Sequence, residues 1–148
     1  MIITIARQCG CGAIHVGKLL AEHYGIPFYT RKTLMDMARE HGVLDEMESF
    51  FDERPVDELL FAMSSLGEPQ KALTEKPIQV LTDMIGQENC IIIGRCGNYI
   101  FRERKDLISV FLSGNLEARI KEIQEEKGFS YEEAEEFVEH TEDCRVAY

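Results

Sequence analysis

The residues best suited to chemistry are Arg7-Gln8-Cys9-Gly10-Cys11-Gly12-Ala13-Ile14-His15, which follow the β-branched run Ile2-Ile3-Thr4-Ile5 and lead into a helical pattern at Val16, Leu19, Leu20 and His23. A glycine-bearing turn between a strand and a helix lets successive backbone N–H groups converge on one anion, and the helix N-terminus adds about half a positive charge. The chemistry this serves is phosphate binding. Gly10 and Gly12 stand at the fourth and sixth positions of a P-loop pattern, while its Lys and Ser/Thr positions hold Ala13 and Ile14. On the pattern alone two readings stand: a phosphate cradle, and a tight β–α turn that binds nothing. Arg7 is the nearest cation able to stand in for the lysine, and His15 is a weaker one.

Thiol and metal chemistry are disfavoured. The cysteines are Cys9, Cys11, Cys90, Cys96 and Cys144, an odd number in a chain of 148 residues, long enough to fold around its own core. Cys9-x-Cys11 lacks the two-residue gap of a zinc knuckle, and His15 is its only nearby candidate ligand. Reduced thiols packed as small apolar groups, with no metal, are expected.

Charge narrows the partners further. Asp and Glu number 27 against 16 Lys and Arg, a net charge of −11 that repels nucleic acid. Bases nevertheless outnumber acids in two places. Residues 1–35 carry Arg7, Lys18, Arg31 and Lys32 against Glu22 alone; residues 90–114 carry Arg95, Arg102, Arg104 and Lys105 against Glu103 and Asp106. Two basic islands in an acidic chain point to a confined anion site. No apolar run approaches the ~18 residues of a membrane span and no basic-then-apolar leader precedes the first strand pattern, so a soluble, cytoplasmic chain without membrane partners is expected.

The elements that must position these residues read as alternating strands and helices. Ile2–Ile5, Ile91–Ile93 and Ile108–Leu112 are apolar without alternation, as in parallel strands covered on both faces. Helical spacing appears at Val16/Leu19/Leu20/His23 and Leu34/Met37/Ala38/His41. It recurs behind Pro55 at Leu59/Leu60/Met63 and behind Pro77 at Leu81/Met84/Ile85. Leu116, Ile120 and Ile123 stripe another helix, which Gly128 ends. Ser130 and Glu133 then make a capping box ahead of Ala134, Phe137, Val138 and Thr141. The expectation is one α/β domain over residues 1–148, with right-handed crossovers. The acidic stretch Glu132–Glu142 reads as a solvated helix face.

Several segments resemble the cytidylate kinase-like family, a bacterial branch of the P-loop nucleoside monophosphate kinases. They are Ile3–Phe28; Ile91-Ile92-Ile93-Gly94-Arg95-Cys96-Gly97-Asn98-Tyr99; and Val110-Phe111-Leu112 through Leu116-Glu117-Ala118-Arg119. The ending Glu142-Asp143-Cys144-Arg145-Val146-Ala147-Tyr148 resembles that family's lid helix. The resemblance implies a three-layer P-loop NTPase-type α/β fold with helices on both faces of a parallel sheet, and a lid-like helical segment at about 129–148. Family members usually continue past such a lid with another helix and a last strand, so a sheet short of an edge strand is expected.

The resemblance also implies roles. Gly10, Cys11, Gly12, Ala13 and Ile14 would supply backbone amides to ATP, with Mg2+ held by no identifiable side chain because Ile14 cannot ligate it. Phe28-Tyr29-Thr30-Arg31 resembles the family's Phe-Tyr-Asp-Arg with Thr30 in place of the carboxylate, and Arg31 would touch the acceptor. Gly94-Arg95 resembles its acceptor-phosphate clamp, a task that suits the two parallel bonds of a guanidinium. Asp52-Glu53-Arg54 resembles its acceptor-lid segment, while Arg119 and Arg145 would approach the phosphates from the lid side. The implied activity is transfer of the ATP γ-phosphoryl group to a (d)CMP-like nucleoside monophosphate. Ala13, Ile14 and Thr30 keep a second reading open, a degenerate nucleotide or anion binder without turnover; an acidic interaction scaffold is a third.

Overall fold

The structure, a computed structural model, describes residues 1–45, 78–94 and 97–143. The helix expected behind Pro55, the Asp52-Glu53-Arg54 segment, Arg95, Cys96, Cys144 and Arg145 lie outside these residues. The described chain forms β1 (Ile2–Arg7), α1 (Ala13–Tyr24), β2 (Phe28–Tyr29) and α2 (Arg31–Glu40). A helical stretch at residues 78–85 follows, then β3 (Cys90–Ile93), α3 (Gly97–Ile100), β4 (Leu107–Leu112), α4 (Leu116–Lys127) and α5 (Tyr131–Asp143).

The four strands make one parallel sheet in the order β2-β3-β1-β4. β1 lies inside, with Ile3 beside Ile91 on one flank and Ile108 on the other. Its isoleucines are buried because both faces of the sheet are covered. Ile3, Ile5, Ile91 and Ile93 pack with Ala13, Leu20, Ala21 and Phe28 on the α1 face. Ile2, Cys90 and Ile92 pack with Leu34, Ala38, Leu81, Ile85 and Phe101 on the other. Each isoleucine so enclosed contributes roughly 1.5–3 kcal/mol relative to exposure. The architecture is the three-layer α/β fold of P-loop kinase type.

Two expectations change in detail. The buried side of α1 is set by Ala13 and Gly17, with Leu20 and Ala21 partly covered, whereas Leu19 is exposed. Gly17 is required there because a Cβ would lie 2.3 Å from the Phe28 ring. β4, apolar but for Ser109, is not covered on both faces: it has a neighbour on one side only among the described strands, and Ile108 and Phe111 are 47% and 61% exposed.

Local signals set the ends of the last two helices. Gly128 closes α4 in a left-handed conformation, its N–H donating to the Gln124 carbonyl. Ser130 N–H donates to Glu133 Oε2 at 2.8 Å and Glu133 N–H to Ser130 Oγ at 3.2 Å, completing the capping box. The segment read as a lid, 129–148, is helical over Tyr131–Asp143, and it packs on α4 through Ala134 and Val138 against Ile120 and Ile123.

Charges at the amino ends of the strands do structural work. Arg104 forks onto both oxygens of Asp106 at 2.9 and 2.7 Å and donates to the Gly86 carbonyl at 3.0 Å. The N-terminal ammonium pairs with the same Asp106 at 2.6 Å and also donates to Asn89. The Arg104 hydrogen bonds first, then the ammonium, hold the Asp106 carboxyl well below the usual carboxylate range. A carboxyl whose pKa is depressed by folding stabilises above its unfolded value of ~3.9 and loses that contribution as pH falls toward its folded value. Urea unfolding from pH 7 to pH 2 should therefore show the wild type losing stability below about pH 4 more steeply than Asp106→Asn. Parallel curves for the two proteins would remove Asp106 from the acid response.

Candidate functional site

The carboxyl ends of the strands face the opposite way, and β1 there is the point where the chain's course divides. The next two strands in sequence, β2 and β3, lie on one side of β1, while β4 lies on the other. Ligands of open α/β sheets bind in the crevice at such a switch point. The loop at residues 8–12 leaves β1 at this place.

Its backbone is bent at two glycines. Gly10 and Gly12 have φ of 75° and 61°, the left-handed region that costs other residues about 1–2 kcal/mol. Gly10 has a second constraint, since a Cβ there would lie 2.4 Å from the Arg119 carbonyl oxygen. Gly12 is the N-cap of α1 and supplies no side-chain acceptor, and the first turn of α1 carries no acid. The first turn of α1, which begins with Ala13 and Ile14, thus has no capping side chain. The arrangement can accept an anion by backbone donors and helix dipole. Ala13 is buried against the sheet and Ile14 is 51% exposed, so neither side chain brings a charge or a metal-ligating oxygen.

The loop is tied to the two helices at the end of the described chain. Gln8 N–H donates to the Leu112 carbonyl at 2.9 Å, and Gln8 Oε1 accepts from Gly114 N–H at 3.1 Å. Arg119, only 8% exposed, donates from Nε to the Gly114 carbonyl at 3.1 Å and from Nη1 to the Cys9 carbonyl at 3.2 Å. Glu142 Oε1 accepts from Cys9 N–H at 2.6 Å and lies 3.6 Å from Arg119 Nη1. The Cys9 side chain is buried in the α4–α5 cluster. Burial is the main cause that pushes the Cys11 thiol up, against the pull of Arg119, so it is not an activated nucleophile.

Other expected residues stand nearby in different roles. The Arg7 guanidinium lies over Gly94, where a Cβ would be 2.3 Å from Nη1, and so spans from the end of β1 to the end of β3. Gly94 has φ of 68° and its N–H donates to the Ile5 carbonyl at 2.9 Å; Gly97 packs on Thr4, where a Cβ would meet Cγ2 at 2.9 Å. These contacts lie at the carboxyl end of β3. Arg31 opens α2 after β2, two strand positions from β1. Thr30, read as a lost carboxylate, is the N-cap of α2 and forms a capping box with Thr33. Arg119, expected to reach phosphates from the lid side, has its described bonds with Cys9, Gly114 and Glu142. Sequence reading missed Gln8 and Glu142. Gln8 carried a signal, its place beside the loop; Glu142 carried none, sitting in a run of acids.

Among the described residues no group of three His, Cys, Asp or Glu side chains could hold a metal ion, and no helix is long and apolar enough to cross a membrane.

Gly10→Ala and Gly25→Ala separate the two constraints on the loop, because Gly25 has φ of 64° with nothing within 4 Å of its Cβ position. Gly25→Ala should cost about 1 kcal/mol and Gly10→Ala at least about 2 kcal/mol more, by urea unfolding. Equal costs would mean that the loop does not press on Arg119.

Comparison with known proteins matches most of the chain. The sequence pattern described as the cytidylate kinase-like family covers residues 2–148. A cytidylate kinase from Methanosarcina mazei is 29% identical over 136 residues, 90% of this chain and 67% of the relative. One from Methanococcoides burtonii is 26% identical over 134 residues, 89% of this chain and 66% of the relative. The chain thus spans about two thirds of the length of these curated relatives. The crystal structure of an uncharacterized protein from Eubacterium ventriosum aligns with a TM-score of 0.73 at 29% identity, over 100% of this chain and 76% of that one.

Proposed function

The chain belongs to the cytidylate kinase-like family, and from that premise we propose that it transfers the γ-phosphoryl group of ATP to a (d)CMP-like nucleoside monophosphate. The observation that carries the proposal is the glycine loop at the switch point, bent at Gly10 and Gly12 and opening into a helix start without a capping side chain. The Gly10–Ile14 amides hold the ATP polyphosphate in this reading. Arg31 and Arg95 bind the acceptor phosphate, and Arg145 approaches from the lid segment. An acceptor oxygen attacks the γ-phosphorus, the bond to the β-phosphate oxygen breaks, and ADP leaves with that oxygen.

Such transfer needs positioning and charge neutralisation more than covalent chemistry. Arg7, reaching from β1 across Gly94, is the cation placed between the donor loop and the acceptor loop, where the missing lysine's charge is needed. Ile14 has no oxygen for magnesium, and among the described residues no three side chains group to hold an ion; in this reading magnesium arrives with ATP, as substrate. Ala13 and Ile14, together with the use of Thr30 as a helix cap, favour as second reading a binder without turnover.

Two titrations and one rate decide between them. Wild-type protein should bind Mg·ATP and CMP and release ADP only when CMP or dCMP is present. Arg95→Ala should weaken CMP about thirtyfold or more while leaving ATP affinity within about threefold, as for a hydrogen-bonded charge partner removed from an acceptor. Arg7→Ala should lower turnover by ~10²–10³ with ATP binding retained, the loss expected for one transition-state donor. Binding of ATP with no ADP formed from CMP, dCMP, UMP or AMP would leave the binder; no triphosphate binding would remove both.

A further inference from the structure

Cys9 is the residue of the loop whose two backbone groups are both held by charged side chains. Its N–H donates to Glu142 Oε1 at 2.6 Å and its carbonyl accepts from Arg119 Nη1 at 3.2 Å, while those two side chains pair at 3.6 Å. The Cys9 side chain is 5% exposed and packs among Ile120, Ile123, Ala134 and Val138. Bonds from α4 and α5 therefore fix the peptides on both sides of Cys9.

The geometry of a trans peptide turns this into a statement about the anion site. The carbonyl of one residue and the N–H of the next point in opposite directions across a planar unit. With the Cys9 carbonyl drawn to Arg119, the Gly10 N–H is aimed away from Arg119. A guanidinium bound at the carbonyl also polarises the same peptide, making its N–H a stronger donor. The positive φ of Gly10 then carries the chain toward Gly12 with its backbone pressed on the Arg119 carbonyl.

We infer that Arg119 and Glu142 form a clip that aims the Gly10 amide at the polyphosphate, so that both are positioning residues for the donor and act through the loop. The inference deepens the proposed function and rests on that reading for the identity of the anion. It gives Arg119 a task that needs no contact with the nucleotide, and it makes the segment read as a lid a part of the loop's own support.

The test uses the full chain with inorganic tripolyphosphate as probe. Arg119→Lys keeps a positive charge but cannot span the Gly114 and Cys9 carbonyls; Glu142→Gln keeps an oxygen for the Cys9 N–H but loses the charge. Arg119→Lys should weaken tripolyphosphate by about tenfold or more, the loss expected for a charged hydrogen bond. Glu142→Gln, the variant less exposed to misfolding, should weaken it severalfold. In both, amide hydrogen exchange at Cys9 should quicken relative to β1, and the Gly10 amide resonance should move, with far-ultraviolet dichroism unchanged. Folded variants with wild-type tripolyphosphate affinity and unchanged exchange at Cys9 would overturn the clip. Wild-type protein that binds no polyphosphate would instead sink the kinase-type reading, and the exchange and Gly10 resonance data would then decide the clip alone.

Discussion

The buried guanidinium of Arg119 is the constraint on which the shape of the glycine loop depends. A cation taken out of water is stable only where its hydrogen bonds are met. Here the Cys9 and Gly114 carbonyls accept its hydrogen bonds and the Glu142 carboxylate pairs with its charge, one from each of three separate stretches of chain. Packing alone would bring α4 and α5 together through Ile120, Ile123, Ala134 and Val138. The charged bonds add direction, because they admit one orientation of the loop peptides and leave the outward amides to the solvent side.

The two ends of the sheet divide the labour. At the amino ends, Arg104, Asp106 and the N-terminus satisfy one another and close the bottom of the domain. At the carboxyl ends, glycines at 10, 12 and 94 hold backbone conformations that other residues resist, and Arg7 lies across Gly94. Left-handed glycines gather at the carboxyl ends, and the Arg104–Asp106 network closes the amino ends.

Much of this was legible in the sequence where the cause is local. β-branched runs announced β1 and β3, Gly128 and the Ser130/Glu133 pair announced the boundary between α4 and α5, and the glycine spacing announced the loop. Edge position was not legible, because an apolar run such as Ile108–Leu112 looks alike whether or not both faces are covered. The buried side of α1 was misplaced since Gly17 contributes by its lack of a side chain, which hydrophobic spacing cannot register. Thr30 illustrates a third limit: comparison with a family motif read it as a loss, whereas its hydroxyl caps α2. The bonds of Arg119 and Glu142 to Cys9 run over 110 and 133 positions, beyond the reach of any spacing argument.

That last separation bears on how the protein is made. A ribosome releases the chain in order, so β1 and the glycine loop emerge before the carboxylate that holds Cys9, which follows 133 positions later. Until α5 has been synthesised and has docked on α4, the loop has its glycines but lacks its clip. Closing so long a span is among the slower events of folding, since chain entropy is lost before the contact rewards it. The bond from Glu142 to Cys9, with the longest of these separations, would therefore be among the last contacts open to a nascent chain, after the strands of the sheet have all been synthesised.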